Sequence, residues 1–170
     1  MTSTFLNRRN LMGGVASVFG AVGVGSLLAG GVEAKEQDSG VHKMGRDGKP
    51  SDKNDFITPL IVHNGVIYIA GQGANSNGPV GKDDIDSHVT KVMENVKGLV
   101  ETGGGTMDSI LQLTVYLAKL DDYDAMNKIF KTYFPNGGPA RTTVAVAALP
   151  GKSLIEINCI AAVVRKEIPK

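Results

Sequence analysis

From residue 56 onward the chain alternates between two hydrophobic periods. Leu60-Ile61-Val62 and Val66-Ile67-Tyr68-Ile69-Ala70 are short β-rich runs separated by His63-Asn64-Gly65. An Asn-Gly pair between two such runs predicts a tight hairpin. The second run ends at Gly71-Gln72-Gly73, and Asn75-Ser76-Asn77-Gly78-Pro79 reads as a loop. From about Asp83 the period lengthens. Ile85, Val89, Val92, Val96 and Leu99 or Val100 recur every three or four residues, the apolar stripe of an amphipathic helix. Asp83, Asp84 and Asp86 crowd its first turn, where carboxylates suit the helix dipole. Gly103-Gly104-Gly105 ends it. Ser109 to Lys119 returns to a strand pattern, and a second helix is expected from Asp121 or Asp122, carrying Met126, Ile129, Phe130 and Tyr133 before Pro135 stops it.

The last part, Pro139 to Pro150 followed by Ser153-Leu154-Ile155-Glu156-Ile157, reads as two strands joined by a tight Pro150-Gly151 turn. The order is then β-β-α-β-α-β-β, an α+β chain with a mixed sheet and two helices on one face. A sheet face that its own chain leaves bare is usually covered by another copy, so a homo-oligomer is expected.

Two residues in that last part break the pattern. Along a strand Arg141, Thr143, Ala145 and Ala147 share one face, so Arg141 is a fixed cation beside small, uncharged neighbours. Glu156 stands between Ile155 and Ile157, where an apolar residue would be ordinary. Spacing leaves two readings open. One is a structural Arg–Glu pair at a strand end; the other is a carboxylate-binding arginine facing a carboxyl that handles protons or water.

Composition narrows the function. The 170-residue chain is 42% hydrophobic, carries a net charge of +1 and has no dense Lys/Arg window, so the footprint of a nucleic-acid binder is missing. One cysteine, Cys159, permits no internal disulfide, and its strand context makes it a small buried hydrophobe. His42, His63 and His88 match no metal-ligand spacing. Gly103-Gly104-Gly105-Thr106 lacks the Gly-Lys-Ser/Thr of a phosphate loop, and Gly71-Gln72-Gly73 lacks the third glycine of a dinucleotide fingerprint. Tyr116, Phe130 and Tyr133 read as core or subunit contacts.

Residues 1–34 read as an address. Arg8-Arg9 precedes an uncharged run from Leu11 to Val32, which ends in the A-x-A-like Val32-Glu33-Ala34. This is the layout of a secretory signal peptide, and the arginine pair resembles the twin-arginine export signal of bacteria. Six glycines between Leu11 and Gly30 make the run a poor membrane span, so no stable anchor is expected after cleavage near Ala34. The expectation is a periplasmic or secreted protein handled by the twin-arginine machinery. Cleavage removes Arg8, Arg9 and Glu33 and leaves a neutral chain. Residues 35–55 are polar and are expected to form a flexible leader, with the domain proper at 56–167.

The domain resembles the Rid family of enamine/imine deaminases, long called the YjgF/UK114 family. The matching residues are Gly65 to Gln72, Met126-Asn127-Lys128-Ile129-Phe130, Pro139-Ala140-Arg141 through Leu149-Pro150, and Leu154-Ile155-Glu156-Ile157, in order over about Phe56 to Val164. The resemblance implies a chorismate-mutase-like α+β fold assembled as a homotrimer, with sites in the clefts between subunits. It implies hydrolysis of 2-imino acids to 2-keto acids and ammonia without a cofactor. By carry-over Arg141 would hold the substrate carboxylate in a bidentate pair. Glu156 would position or deprotonate water, the Gly71 N–H would bond the carboxylate, and Asn127 would line the cleft. Thr143 stands where these deaminases carry cysteine, which makes the pocket more polar. Ile57-Thr58-Pro59 replaces the segment that places a tyrosine at the site. Two other roles fit the same chain: a non-catalytic trimer that binds small carboxylates in the clefts, or a holdase acting through the trimer surface. A ribonuclease role, which family names also mention, fits poorly with the neutral charge.

Overall fold

The computed structural model describes residues 40–164, and the expected export signal lies outside them. Among the described residues six strands and two α-helices occur in the order β1 (His42–Met44), β2 (Leu60–His63), β3 (Val66–Gly73), α1 (Ile85–Thr102), β4 (Ile110–Leu117), α2 (Tyr123–Phe130), β5 (Ala140–Ala145) and β6 (Ile155–Ala162), with four short 3-10 turns between them. Their order across the single sheet is β1-β2-β3-β6-β4-β5, with β4 and β5 parallel and every other neighbouring pair antiparallel. This is the α+β mixed sheet expected from the two hydrophobic periods.

Local chemistry accounts for the first hairpin and for both ends of α1. Asn64 and Gly65 both take positive φ, 50° and 76°, as a tight hairpin turn between β2 and β3 requires. At the start of α1 the Asp84 carboxylate accepts from the Ser87 N–H at 2.8 Å, and that bond holds its pKa below the ordinary value. The helix ends where the Gly103 N–H donates to the Leu99 carbonyl and the Gly105 N–H to the Val100 carbonyl, with Gly104 at φ 86°.

The core lies between the helices and one face of the sheet. Val89, Val92, Met93, Val96 and Val100 of α1, with Met126 of α2, pack onto Ile67, Leu113, Val115, Leu117, Ile155 and Ile157, all at most 1% exposed. Each fully buried side chain of this kind contributes about 1.5–3 kcal/mol. Cys159, 2% exposed between Ile69 and Leu113, is the small buried hydrophobe expected. The opposite face carries Tyr68, Thr114, Tyr116, Val144, Glu156, Asn158 and Ile160, none of them fully covered.

Two expectations are corrected. The segment 35–55 is not a featureless leader where it is described. His42–Met44 pairs with Leu60–Val62 along the sheet edge, and the Ser51 N–H donates back to the Lys43 carbonyl. Low apolar content hid this, because an edge strand is held by backbone bonds that composition does not reveal. The final two strands, moreover, are not a hairpin. β5 runs parallel to β4 on the outer edge, and β6 inserts between β3 and β4. A strand–helix–strand unit returns its second strand parallel to the first. Thus α2 between β4 and β5 sends Arg141 to the edge, while Pro150-Gly151 belongs to a crossing connection.

Candidate functional site

Glu156 sits on β6, an interior strand flanked by β3 and β4. Ile155, Ile157, Cys159 and Ala161 turn into the core, so Glu156 and Asn158 turn to the bare face. There they line a cavity of about 390 Å³ together with Gly71, Tyr116, Val146 and Leu149. The carboxylate of Glu156 lies directly over Gly71, so close that a side chain at 71 would collide with it. Hence glycine at 71 is explained by contact. Asn158 Oδ1 is buried without a hydrogen-bond partner, leaving an acceptor in the same wall.

Arg141 belongs to a different surface. Its register partner on β4 is Leu113, a core residue, so its side chain leaves the sheet on the helix side. The guanidinium lies 4.7 Å from the centre of the Phe130 ring and 5.8 Å from that of Tyr123, within range of a cation–π contact. Its Nη2 donates to Tyr123 Oη at 3.3 Å, and Nη1 approaches Met126 Sδ at 3.9 Å. Among the described residues no carboxylate pairs with it. It is a cation held by aromatic faces with its charge uncompensated. Asn127 lies one helical turn beyond Tyr123 on α2. Thr143, on the same strand face as Arg141, has its Oγ1 buried and unpartnered.

Arg141 and Glu156 therefore do not meet within one chain. They project from opposite faces, two strands apart, and in register Glu156 lies level with Val144, three residues along β5 from Arg141. That is about 10 Å across the sheet and about 10 Å along it, before the side chains diverge. The structural ion pair is excluded, and the five candidates divide into two groups: Glu156 with Gly71, and Arg141 with Asn127 and Thr143. Three residues near these groups had escaped sequence reasoning: Tyr123, Asn158 and Tyr116 as a cavity wall. The Tyr123–Met126–Phe130 spacing, three and four residues on one side of α2, was the available signal for the first. A larger open hollow of about 660 Å³ along the start of α1 mixes Lys82, Asp86, Lys91 and Glu94 and contains none of the candidates. Among the described residues no group of three or more His, Cys, Asp and Glu is placed to hold a metal ion.

Residues 49–163 match the family described as Endoribonuclease L-PSP. A RutC family protein of Pyrococcus abyssi is 37% identical over 97 residues, which cover 56% of this chain and 76% of that protein. Reactive Intermediate Deaminase A, chloroplastic, of Arabidopsis thaliana is 32% identical over 103 residues, 59% of this chain and 55% of that one. Among solved structures, a putative endoribonuclease L-PSP from Entamoeba histolytica superposes with a TM-score of 0.64 at 30% identity, over 72% of this chain and 99% of its own. RidA from Psychrobacter sp. PAMC 21119 gives 0.62 at 25% identity, over 72% and 99%.

Proposed function

The chain belongs to the endoribonuclease L-PSP (YjgF/Rid) family, and on that premise we propose that it is a cofactor-independent deaminase hydrolysing 2-imino or enamine acids to 2-keto acids and ammonia. The observation that carries the reading is the split site. Arg141 is a cation without a counter-charge among the described residues on one face, and Glu156 lines a cavity of about 390 Å³ on the other. One small substrate reaches both only where the Arg141 edge of one copy meets the bare face of the next. A homotrimer with three such clefts supplies this arrangement and covers the exposed Tyr68 and Val144.

In such a cleft Arg141 holds the carboxylate of the imino acid in a two-pronged charge-assisted pair, steadied by Phe130 and Tyr123. Glu156 takes a proton from water as the oxygen bonds to the carbon of the protonated imine, giving a neutral carbinolamine. Glu156 returns that proton to nitrogen, the C–N bond breaks with its electron pair leaving on ammonia, and the hydroxyl proton passes to Glu156 as the C=O bond of the keto acid forms. The imine carbon is already electrophilic, so holding water and substrate together supplies much of the acceleration. Gly71, Asn127 and Thr143 line the cleft. The Tyr123 phenol offers a hydroxyl beside the carboxylate site, where the usual tyrosine-bearing segment is replaced by Ile57-Thr58-Pro59.

We also place the protein outside the cytoplasm, delivered by the twin-arginine machinery and cleaved near Ala34. N-terminal sequencing of the periplasmic fraction checks this. Retention of an Arg8→Lys/Arg9→Lys variant with residues 1–34 still attached supports the export reading, and unchanged export contradicts it.

A coupled assay tests the chemistry. A pyridoxal-phosphate dehydratase generates 2-iminopropanoate or 2-iminobutanoate, and keto-acid appearance is followed with the chain from Lys35 as wild type or Arg141→Ala. Acceleration by wild type alone supports the deaminase. Carboxylate binding lost in Arg141→Ala, without turnover by either, supports the non-catalytic binder instead.

A further inference from the structure

Behind the Glu156 cavity the backbone of β3 is irregular. Ile69 pairs with Cys159 and Gln72 with Ile157, so β3 carries one more residue than β6 over this interval, a bulge containing Ala70 and Gly71. Bulges re-aim side chains and need holding, because their backbone groups leave the regular ladder. Gln72 does the holding. It is 2% exposed, and its Nε2 donates to the Ala70 carbonyl at 2.8 Å and to the Gly71 carbonyl at 3.1 Å. Its Oε1 then has to be satisfied from elsewhere. The donor is the Arg46 guanidinium, which arrives just past β1, in the edge segment that composition had suggested was a loose leader.

Arg46 has no other side-chain hydrogen bond or ion pair among the described residues, so its charge is spent on this one amide. Burial lowers its pKa from the ordinary value, the mark of a cation partly out of water. Its backbone is fixed too. The turn after β1 closes through the Gly45 N–H on the Lys49 carbonyl at 2.8 Å, and β1 is paired to β2. The connection therefore runs from a pinned edge strand through a charge-assisted bond to a buried amide, and from there to two consecutive carbonyls of the bulge. The Glu156 carboxylate rests against the other side of that bulge at Gly71.

We propose that Arg46 is a positioning residue of the candidate site, fixing the Gly71 bulge through Gln72 and so the aim of the Glu156 carboxylate. The N-terminal edge segment is thereby part of the site's machinery. The activity arm of the test rests on the deaminase reading above; the spectroscopic arm does not.

The full chain is compared as wild type, Arg46→Met and Arg46→Lys. Arg46→Met keeps the bulk and removes both charge and donor; Arg46→Lys restores a donor. The Gly71 amide resonance reports the bulge, and those of Val89 and Leu113 report the core. In Arg46→Met the Gly71 resonance moves while the other two stay. In the coupled assay kcat falls roughly tenfold while KM rises less than about threefold, because Arg141 still holds the carboxylate and only the Gly71 N–H shifts. Arg46→Lys recovers most of both effects. An unmoved Gly71 resonance with unchanged kcat overturns the proposal, as does simultaneous collapse of all three resonances, which would make Arg46 a general structural residue. Should Arg46→Met not fold, Arg46→Lys decides alone: near-wild-type Gly71 and kcat support the proposal, and a shift equal at core and bulge overturns it. If wild type turns over no imine, the deaminase reading has failed and the Gly71 resonance still decides the role of Arg46.

Discussion

Arg141 and Glu156, only 15 positions apart in sequence, project from opposite faces of one sheet. β6 inserts between β3 and β4, while α2 carries the chain out to β5 at the edge. Each residue is incomplete where it stands. Among the described residues Arg141 has aromatic neighbours and no counter-charge, and Glu156 has a cavity and no cation.

The contact between Gly71 and Glu156 separates stability from activity. A methyl at 71 meets the flexible end of the Glu156 side chain, which can swing away, so Gly71→Ala changes stability by less than about 1 kcal/mol. Displacing the carboxylate lowers imine hydrolysis about a hundredfold. Gly103→Ala is the converse case. A Cβ there lies 2.9 Å from Ile67 Cγ2 and 3.1 Å from Leu60 Cδ1, both inside the core, so it costs about 1–3 kcal/mol and leaves the site's geometry alone. Denaturant unfolding alongside the coupled assay distinguishes the two.

Much of this frame was legible beforehand. Asn64-Gly65 named its hairpin, and the stripe from Ile85 to Val100 named its helix, because each follows from local chemistry. Strand order was not legible. Ile155, Ile157, Cys159 and Ala161 alternate identically whether β6 pairs with β5 or lies between β3 and β4, so the Pro150-Gly151 turn suggested a hairpin that does not exist. The parallel β4–α2–β5 unit was the overlooked signal. β1 was hidden because His42 and Lys43 are polar and the strand is held through its backbone. Arg141 and Glu156 stand out in the sequence as charges that break a strand pattern, but the division of the candidate residues between two faces follows from strand order and is invisible with it.

Tyr123→Phe removes the oxygen that accepts from Arg141 Nη2 and retains the ring beneath the guanidinium. Losing one such bond costs about 0.5–1.5 kcal/mol. KM for the imino acid is expected to rise about two- to tenfold with kcat nearly unchanged, as measured by steady-state kinetics. A fall in kcat with KM constant would place the phenol in the chemistry instead of in carboxylate binding.

Burial pushes the Cys159 thiol up to about 12 from its ordinary 9.0. Above pH 9 the unfolded chain releases this proton and the folded chain keeps it, so stability falls as pH rises from about 9 toward 12 and is indifferent to this group below 9. Tyr133, raised to about 12 by burial and its hydrogen bond to Glu94, acts in the same direction above pH 10. The native protein should resist iodoacetamide at pH 8 while the unfolded chain reacts. Cys159→Ala should flatten the loss of stability between pH 9 and 10, measured by urea titration.

The central claim, that one working site draws Arg141 from one copy and Glu156 from another, is tested by mixing two dead variants. Arg141→Ala and Glu156→Gln chains are unfolded together in equal amounts, refolded, and assayed for imine hydrolysis. In a cyclic assembly about one site in four pairs an intact Arg141 with an intact Glu156, so activity should return to about a quarter of wild type. A mixture as inactive as its parents, with hybrid assemblies confirmed by mass, would contradict the account.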